Sequence, residues 1–206
     1  MGEKTIPDIV VGRLPLYLRA LQRMLIGEQY VTSSQDLASR LGISAAQIRK
    51  DLSMFGEFGK QGTGYNVNYL VEQLCKIIKV DRVWDVAVVG AGDIGSAIAR
   101  YQGFADRGFQ VTMIFDSDPR KIGTQVGPFT VQSTDQIVEA IQSAGIQVAM
   151  IAVPAASAQL VVDELVKAGI KAILNYAPLN ITVPEDVHVQ HTDPVTHLQR
   201  MTYYLD

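Results

Sequence analysis

The segment from Asp85 to Asp116 leaves this chain little choice of fold. Asp85-Val-Ala-Val-Val-Gly90 is a short, continuous apolar run, as expected of a strand buried on both faces of a parallel sheet. It leads into Gly90-Ala91-Gly92-Asp93-Ile94-Gly95, a GxGxxG turn. Ile94, Ala97, Ile98 and Tyr101 then recur at helical spacing, which predicts a helix. A second apolar run, Gln110-Val-Thr-Met-Ile-Phe115, ends at Asp116, 21 residues after Gly95. Strand, glycine turn, helix, strand and acid in this order make the dinucleotide-binding fingerprint. Gly90 permits the tight turn, Gly92 lets the backbone approach a pyrophosphate, and Gly95 lets helix and strand pack closely. The pyrophosphate would rest on the helix N-terminus, where unpaired N–H groups and the dipole favour negative charge. Asp116 is expected to accept from the adenosine ribose hydroxyls and to repel a 2′-phosphate, so NAD(H) is favoured over NADP(H). Arg120 and Lys121 lie close by and pull the other way, and Lys121 is itself a candidate contact.

The alternation continues to the C-terminal side. A helix is expected over roughly 134–144 and a buried strand over 148–153, ending at Pro154. A helix at about 156–168 and a strand at 171–174 follow. Repeated βαβ units mean a parallel, doubly wound sheet that binds ligands at the carboxyl ends of its strands. Ala152, Val153 and Pro154, with Asn175, Tyr176, Ala177 and Pro178, are strand ends of that type. Their apolar character, with no carboxylate, predicts a preference for the neutral dihydronicotinamide ring over the cationic oxidised one.

The first 80 residues read differently. Pro15 opens an apolar stripe of Leu14, Tyr17, Leu18, Leu21, Met24 and Leu25 that closes at Gly27. Ser33 or Ser34 caps a second helix with Leu37, Ala38 and Leu41 inside, and Gly42 ends it. Ser44-Ala-Ala-Gln47 has the form of a capping box, opening a third helix that buries Ile48 and Leu52. Gln47, Arg49, Lys50 and Ser53 are left facing outwards. Two short helices joined at a glycine turn form a helix-turn-helix, whose second helix enters the major groove of DNA. Arg49 and Lys50 suit guanine or phosphate. Ser33, Ser34 and Ser44 complete the candidate contacts on the helices. Four glycines between Gly56 and Gly64 exclude helix and predict a hairpin, a wing that carries Lys60 near its tip against phosphate. A further helix, about 68–79, closes this domain.

Charge divides the same way. The chain has 206 residues and a formal charge of −3. Residues 1–82 hold 11 Lys/Arg against 8 Asp/Glu, and residues 83–206 hold 7 against 13. The first part, net positive, suits phosphate. A winged-helix domain over 1–80 and a dinucleotide-binding Rossmann domain over 83–190 are therefore expected, with a tail over 191–206. Cys75 is the single cysteine, so no intrachain disulfide can form, which fits a reducing cytoplasm. No apolar run has membrane-spanning length, and no secretory signal pattern opens the chain. In the tail, Asp193 and Pro194 start a helix with Val195, Leu198, Met201 and Leu205 on one side. It is apolar enough to need burial, on its own domain or in a partner subunit of a dimer. His188, His191 and His197 are read as structural, and no residue set suggests a metal.

The whole chain resembles the Rex family of redox-sensing transcriptional repressors. The resemblance is carried by Thr32-Ser-Ser-Gln-Asp-Leu-Ala38, Gln47-Ile-Arg-Lys-Asp-Leu-Ser53, Phe55-Gly-Glu-Phe-Gly59 and Gly62-Thr-Gly-Tyr65 in the first part. It continues in Val89-Gly-Ala-Gly-Asp-Ile-Gly-Ser-Ala97, Tyr101-Gln-Gly-Phe104, Phe115-Asp-Ser-Asp-Pro119 and Ile173-Leu-Asn-Tyr-Ala-Pro178. It implies a homodimer that holds palindromic operator DNA when NADH is scarce and leaves it when NADH binds. It also implies a C-terminal helix swapped between subunits beside the nicotinamide ends. Arg19, Tyr101 and Asp193 are the polar groups expected to exchange hydrogen bonds in such a switch. Two other readings stay open. One is a DNA-binding regulator of coenzyme A or another adenine nucleotide. The other is an NAD-dependent dehydrogenase, for which no acid/base residue near the ring stands out.

Overall fold

The computed structural model describes residues 6–60 and 64–205, except for the side chain of Lys60. The chain forms two compact units that part between Arg82 and Val83. In the first, α1 (Asp8–Val11) precedes α2 (Leu14–Ile26), then β1 (Val31–Thr32), α3 (Ser34–Leu41) and α4 (Ala45–Ser53). Strands β2 (Gly59–Lys60) and β3 (Gly64–Asn66) and helix α5 (Val67–Ile77) complete it. The stripe on α2 buries Leu14, Tyr17, Leu21 and Met24 against Leu37 of α3, Ile48 and Leu52 of α4, and Leu70 and Leu74 of α5. Burial of this kind contributes about 25 cal/mol per Å² of apolar surface removed from water. Gly42 adopts the left-handed conformation that ends α3, and α4 begins three residues later. This is a helix-turn-helix, with α4 as its second helix.

The hairpin forms as expected: β2 pairs antiparallel with β3, Lys60 opposite Gly64. Gly62 lies outside the described residues. β1, which the sequence did not announce, joins the other edge of β3 and makes a three-stranded sheet ordered β1-β3-β2.

The second unit opens with β4 (Trp84–Val89), α6 (Asp93–Arg100), a 3-10 turn over Gln102–Arg107 and β5 (Phe109–Asp116). A small hairpin, β6 (Gln125–Val126) and β7 (Phe129–Thr130), leads to β8 (Gln132–Ser133) and α7 (Ile137–Ala144). Then come β9 (Val148–Ile151), α8 (Ala155–Lys167), β10 (Ala172–Asn175), β11 (His188–His191) and α9 (Pro194–Thr202). The sheet has the order β11-β10-β9-β4-β5-β8, all parallel. Along β4, Val86 and Val88 face one apolar layer and Ala87 and Val89 the other. That is why the run is apolar throughout rather than alternating. From β4 the chain moves outwards to β5 on one side and, later, to β9 on the other. The boundary between β4 and β9 is thus the topological switch point, where such folds hold ligands.

Two features go beyond what the sequence announces. β11 was not foreseen; its His188-Val-Gln-His191 runs through residue 191, where the tail was expected to begin. On α6 the buried residues are Gly95, Ile98 and Ala99, whereas Ile94, Ala97 and Tyr101 are exposed. Gly95 fixes that choice, because an added Cβ would lie 1.7 Å from the carbonyl oxygen of Gly90. Only a residue without Cβ can face the strand there. Tyr101 lies just past the end of α6 and stacks edge-on against Phe104.

Candidate functional site

A cavity of about 980 Å³ opens at the switch point. Gly90, Gly92, Asp93, Ile94, Asp116, Lys121, Val153, Pro154, Tyr176 and Pro178, all expected from the sequence, line it. Gly90 leaves β4 with φ +103°, and a Cβ there would lie 2.5 Å from the oxygen of Ala152, so the turn tolerates only glycine. Gly92 is the N-cap of α6, and a Cβ on it would meet nothing within 4 Å. Open space above a helix N-terminus is what a pyrophosphate needs. Gly95 and Ala91 do not line the cavity. Gly95 acts through packing, and the Ala91 N–H is spent inside the protein, donating to Asp116 Oδ2 at 2.7 Å.

Asp116 is 8% exposed. Besides Ala91, Lys121 Nζ donates to its Oδ2 at 3.0 Å and the Asp118 N–H to its Oδ1 at 2.8 Å. Burial pushes this carboxyl up, but these three donors outweigh it and hold the group below the usual carboxylate range. A carboxylate has about four acceptor positions. Three are filled, which leaves Oδ1 one for a ribose hydroxyl. Arg120, which argued for a 2′-phosphate, instead donates to Asp118 through Nε and Nη2 at 3.0 and 2.8 Å. Asn175, fully buried, shapes the opposite wall: its Nδ2 donates to the carbonyls of Ala177 and Leu179, and its Oδ1 accepts from the Ala177 N–H. That loop carries Tyr176 and Pro178 into the cavity. The cavity as a whole is not free of carboxylates, since Asp135 and Glu164 line it along with Asp93 and Asp116. The expected preference for the neutral ring therefore applies to the strand ends alone. Asp135 and Glu164, with Thr134, Ser157 and Leu160, had no sequence signal, because the 3-10 turn before α7 and the helix α8 reach the cavity only through the topology.

In the first unit the caps fall where expected. Ser33 Oγ accepts from the Asp36 N–H, and Ser44 Oγ from the Gln47 N–H at 3.2 Å. The return half of the capping box is absent. Gln47 is half-buried, and its Nε2 donates to Asp51 Oδ1 at 2.6 Å. Arg49 and Lys50 are exposed on α4; Arg49 Nη1 donates to Ser34 Oγ at 2.8 Å, tying α4 to α3. Ser53 Oγ donates to the carbonyl of Lys50.

Asp51, missed in the sequence, is 0% exposed on the inner face of α4. Arg13 meets it in a fork, Nε to Oδ2 at 2.6 Å and Nη2 to Oδ1 at 2.8 Å, and Tyr17 Oη donates to Oδ2 at 2.5 Å. The sequence held one clue, a charge one place before the core residue Leu52. Burial pushes the Asp51 carboxyl up, yet the hydrogen bonds from Arg13, Tyr17 and Gln47 outweigh it and hold it below its ordinary value. Burial and the bond to Asp51 push the Tyr17 phenol up to about 12, so it stays a donor. A depressed folded pKa contributes stability that is present above about pH 3.9, the ordinary Asp value, and is lost as pH falls through the folded value. The urea midpoint by far-UV circular dichroism is therefore expected to be lower at pH 3 than at pH 7. Equal midpoints would contradict an ionised Asp51.

A helix-turn-helix with a wing, joined to a Rossmann unit with a dinucleotide cradle, defines a nucleotide-responsive DNA-binding protein. The family described as CoA binding domain matches residues 81–179, and that described as putative DNA-binding protein N-terminus matches residues 5–53. A protein of Roseiflexus sp. (strain RS-1), named redox-sensing transcriptional repressor Rex, is 53% identical over 97% of this chain and 90% of its own length. The Streptomyces coelicolor protein of the same name is 43% identical over 97% of this chain and 77% of its own. Among solved structures, RSP in complex with β-NAD+ and operator DNA matches 98% of this chain and 94% of its own at 36% identity, with a TM-score of 0.93. RSP, described as a Rex-family repressor, has also been solved with β-NADH, and matches at 34% identity with a TM-score of 0.89. The chain belongs to the Rex family of redox-sensing transcriptional repressors.

Proposed function

We propose that this protein is a homodimeric transcriptional repressor that binds palindromic operator DNA through α4 and the wing and is released when NADH fills the cavity at the switch point. The observation that carries this reading is the likeness to RSP, solved with β-NAD+ and operator DNA, over 98% of this chain. The local geometry supports it: Gly92 caps an open helix N-terminus, and Asp116 keeps one acceptor for a ribose hydroxyl. With Arg120 engaged by Asp118, a 2′-phosphate meets the charge of Asp116, so NAD(H) is the ligand rather than NADP(H). The protein acts in the cytoplasm and turns over no substrate.

Switching requires that NADH bind the DNA-holding and released arrangements with different affinity, since equal affinity shifts nothing. A coupling of about 1–3 kcal/mol suffices for a useful response. Arg19, Tyr101 and Asp193 are the groups we assign to the switch. Arg19 and Tyr101 are exposed, and Asp193 caps α9, accepting from the Val195 N–H and the Thr196 hydroxyl. Fluorescence anisotropy of a labelled operator at fixed salt tests the reading. NADH is expected to release the DNA at concentrations where NAD+ does little. Release by coenzyme A alone would move the assignment to that ligand, and no DNA binding would sink the repressor reading. With Asp193→Ala, release by NADH is expected to weaken; release equal to wild type removes Asp193 from the switch.

A further inference from the structure

Asp51 lies one turn beyond Gln47 on α4, out of reach of solvent, and accepts from Arg13, Tyr17 and Gln47 at once. An ionised carboxylate only accepts, so the Gln47 amide can meet it only with its NH2 end. This decides which end of the amide faces away from the core. The carbonyl Oε1 and the second Nε2 hydrogen are thereby left on the side of the amide away from Asp51. Gln47 is the third residue of α4, in the N-terminal part of a recognition helix that lies nearest the base edges. An unrestrained glutamine could present either end of its amide, and fixing one before binding removes that ordering cost.

We propose that Asp51 is a positioning residue for sequence readout, locking the Gln47 amide so that Oε1 and the free N–H read the N6 amine and N7 of an adenine in the operator. Arg13 and Tyr17 hold Asp51 in place, and none of these three needs to touch DNA. The inference rests on the DNA-binding function proposed above and adds the base that Gln47 recognises and the residue that prepares it.

The test enriches randomised duplex DNA on the full-length wild-type protein and on Gln47→Ala, Asp51→Asn and the double variant. Wild type is expected to select a palindrome with one adenine per half-site that Gln47→Ala no longer distinguishes, a loss of about tenfold, within the range for a bidentate base contact. Affinity for random duplex and its salt dependence should not change, because no phosphate contact is removed. Asp51→Asn is expected to lose the same adenine preference, and the double variant to lose no more at that base than either single change. Gln47→Ala keeping every wild-type preference overturns the proposal. So does Asp51→Asn weakening all sequences alike with preferences intact, which is the mark of a merely structural role. If Asp51→Asn fails to fold, the side-chain amide resonances of wild type decide. One Gln47 Nε2 proton shifted downfield and slow to exchange supports the lock, and two protons at free-glutamine positions overturn it. Wild type enriching no sequence at all removes the repressor reading itself, and this inference with it.

Discussion

A Gly95→Ala protein is expected to keep its operator and lose its response to NADH. The added methyl would sit 1.7 Å from the Gly90 oxygen and 2.9 Å from the Gly90 carbonyl carbon, both backbone atoms at the end of β4. No rotamer change relieves such a contact, so the first turn of α6 must move away from the strand. That turn supplies the N–H groups for the pyrophosphate, and the same shift disturbs the Ala91 N–H that holds Asp116. Overpacking alone costs about 1–3 kcal/mol. Titration of NADH fluorescence should show affinity reduced by at least about 100-fold, roughly 2.7 kcal/mol. α4 and the wing belong to the other unit, so operator binding should survive, now insensitive to NADH. Gly92→Ala is the control. Its Cβ meets nothing within 4 Å in the protein, so its melting temperature should match wild type while NADH affinity falls, because the methyl stands where the ligand approaches. If Gly95→Ala binds NADH as wild type does, the packing role assigned to Gly95 is wrong.

That contrast bears on how far the sequence could be read. Glycine spacing and the apolar run at Asp85–Val89 announced the turn, the sheet and most of the cavity lining, because each position answers to a strong local constraint. On α6 the apolar spacing leaves the rotation open: Ile94, Ala97 and Tyr101 are apolar too, but Gly95, Ile98 and Ala99 are the ones the strand can admit. Apolar spacing gives a helix its period and leaves its rotation to steric fit. Asp51 was invisible for another reason. A lone Asp in a short helix reads as solvated, and only the fold brings Arg13, 38 positions earlier, against it. β11 escaped because a short, largely polar edge strand borrows its order from β10 rather than from its own residues. From the sequence Gln47 reads as free and facing outwards on α4, whereas it is half-buried and tied to Asp51.

Removing residues 194–206 is expected to convert the dimer to a monomer and to weaken operator binding by about 10²–10⁴-fold, the usual loss when two linked contacts become one. No residue of α9 is buried. Val195, Leu198 and Met201 are 57–63% exposed, and Tyr203, Tyr204 and Leu205 73–84%. Isolated apolar residues on a surface need no explanation, but a contiguous helix and its extension do. Asp193 caps this helix through both carboxylate oxygens, so its start is well fixed although its apolar side has no cover within the unit. A further exposed apolar stripe among the described residues of the unit, Ile94, Ala97 and Tyr101, offers a surface of matching character on a second copy. Covering both at once hides more apolar area than either could alone, at about 25 cal/mol per Å². Light scattering should therefore give twice 22.5 kDa for wild type and half that for the truncated chain. The Rossmann core does not include α9, so the truncated protein should melt close to wild type when both are at low concentration. Each recognition helix would still meet its half-site, but without a tethered partner the second half-site adds nothing. A truncated chain that remains dimeric would show that α9 is not the principal seam, and would direct attention to the α6 stripe instead.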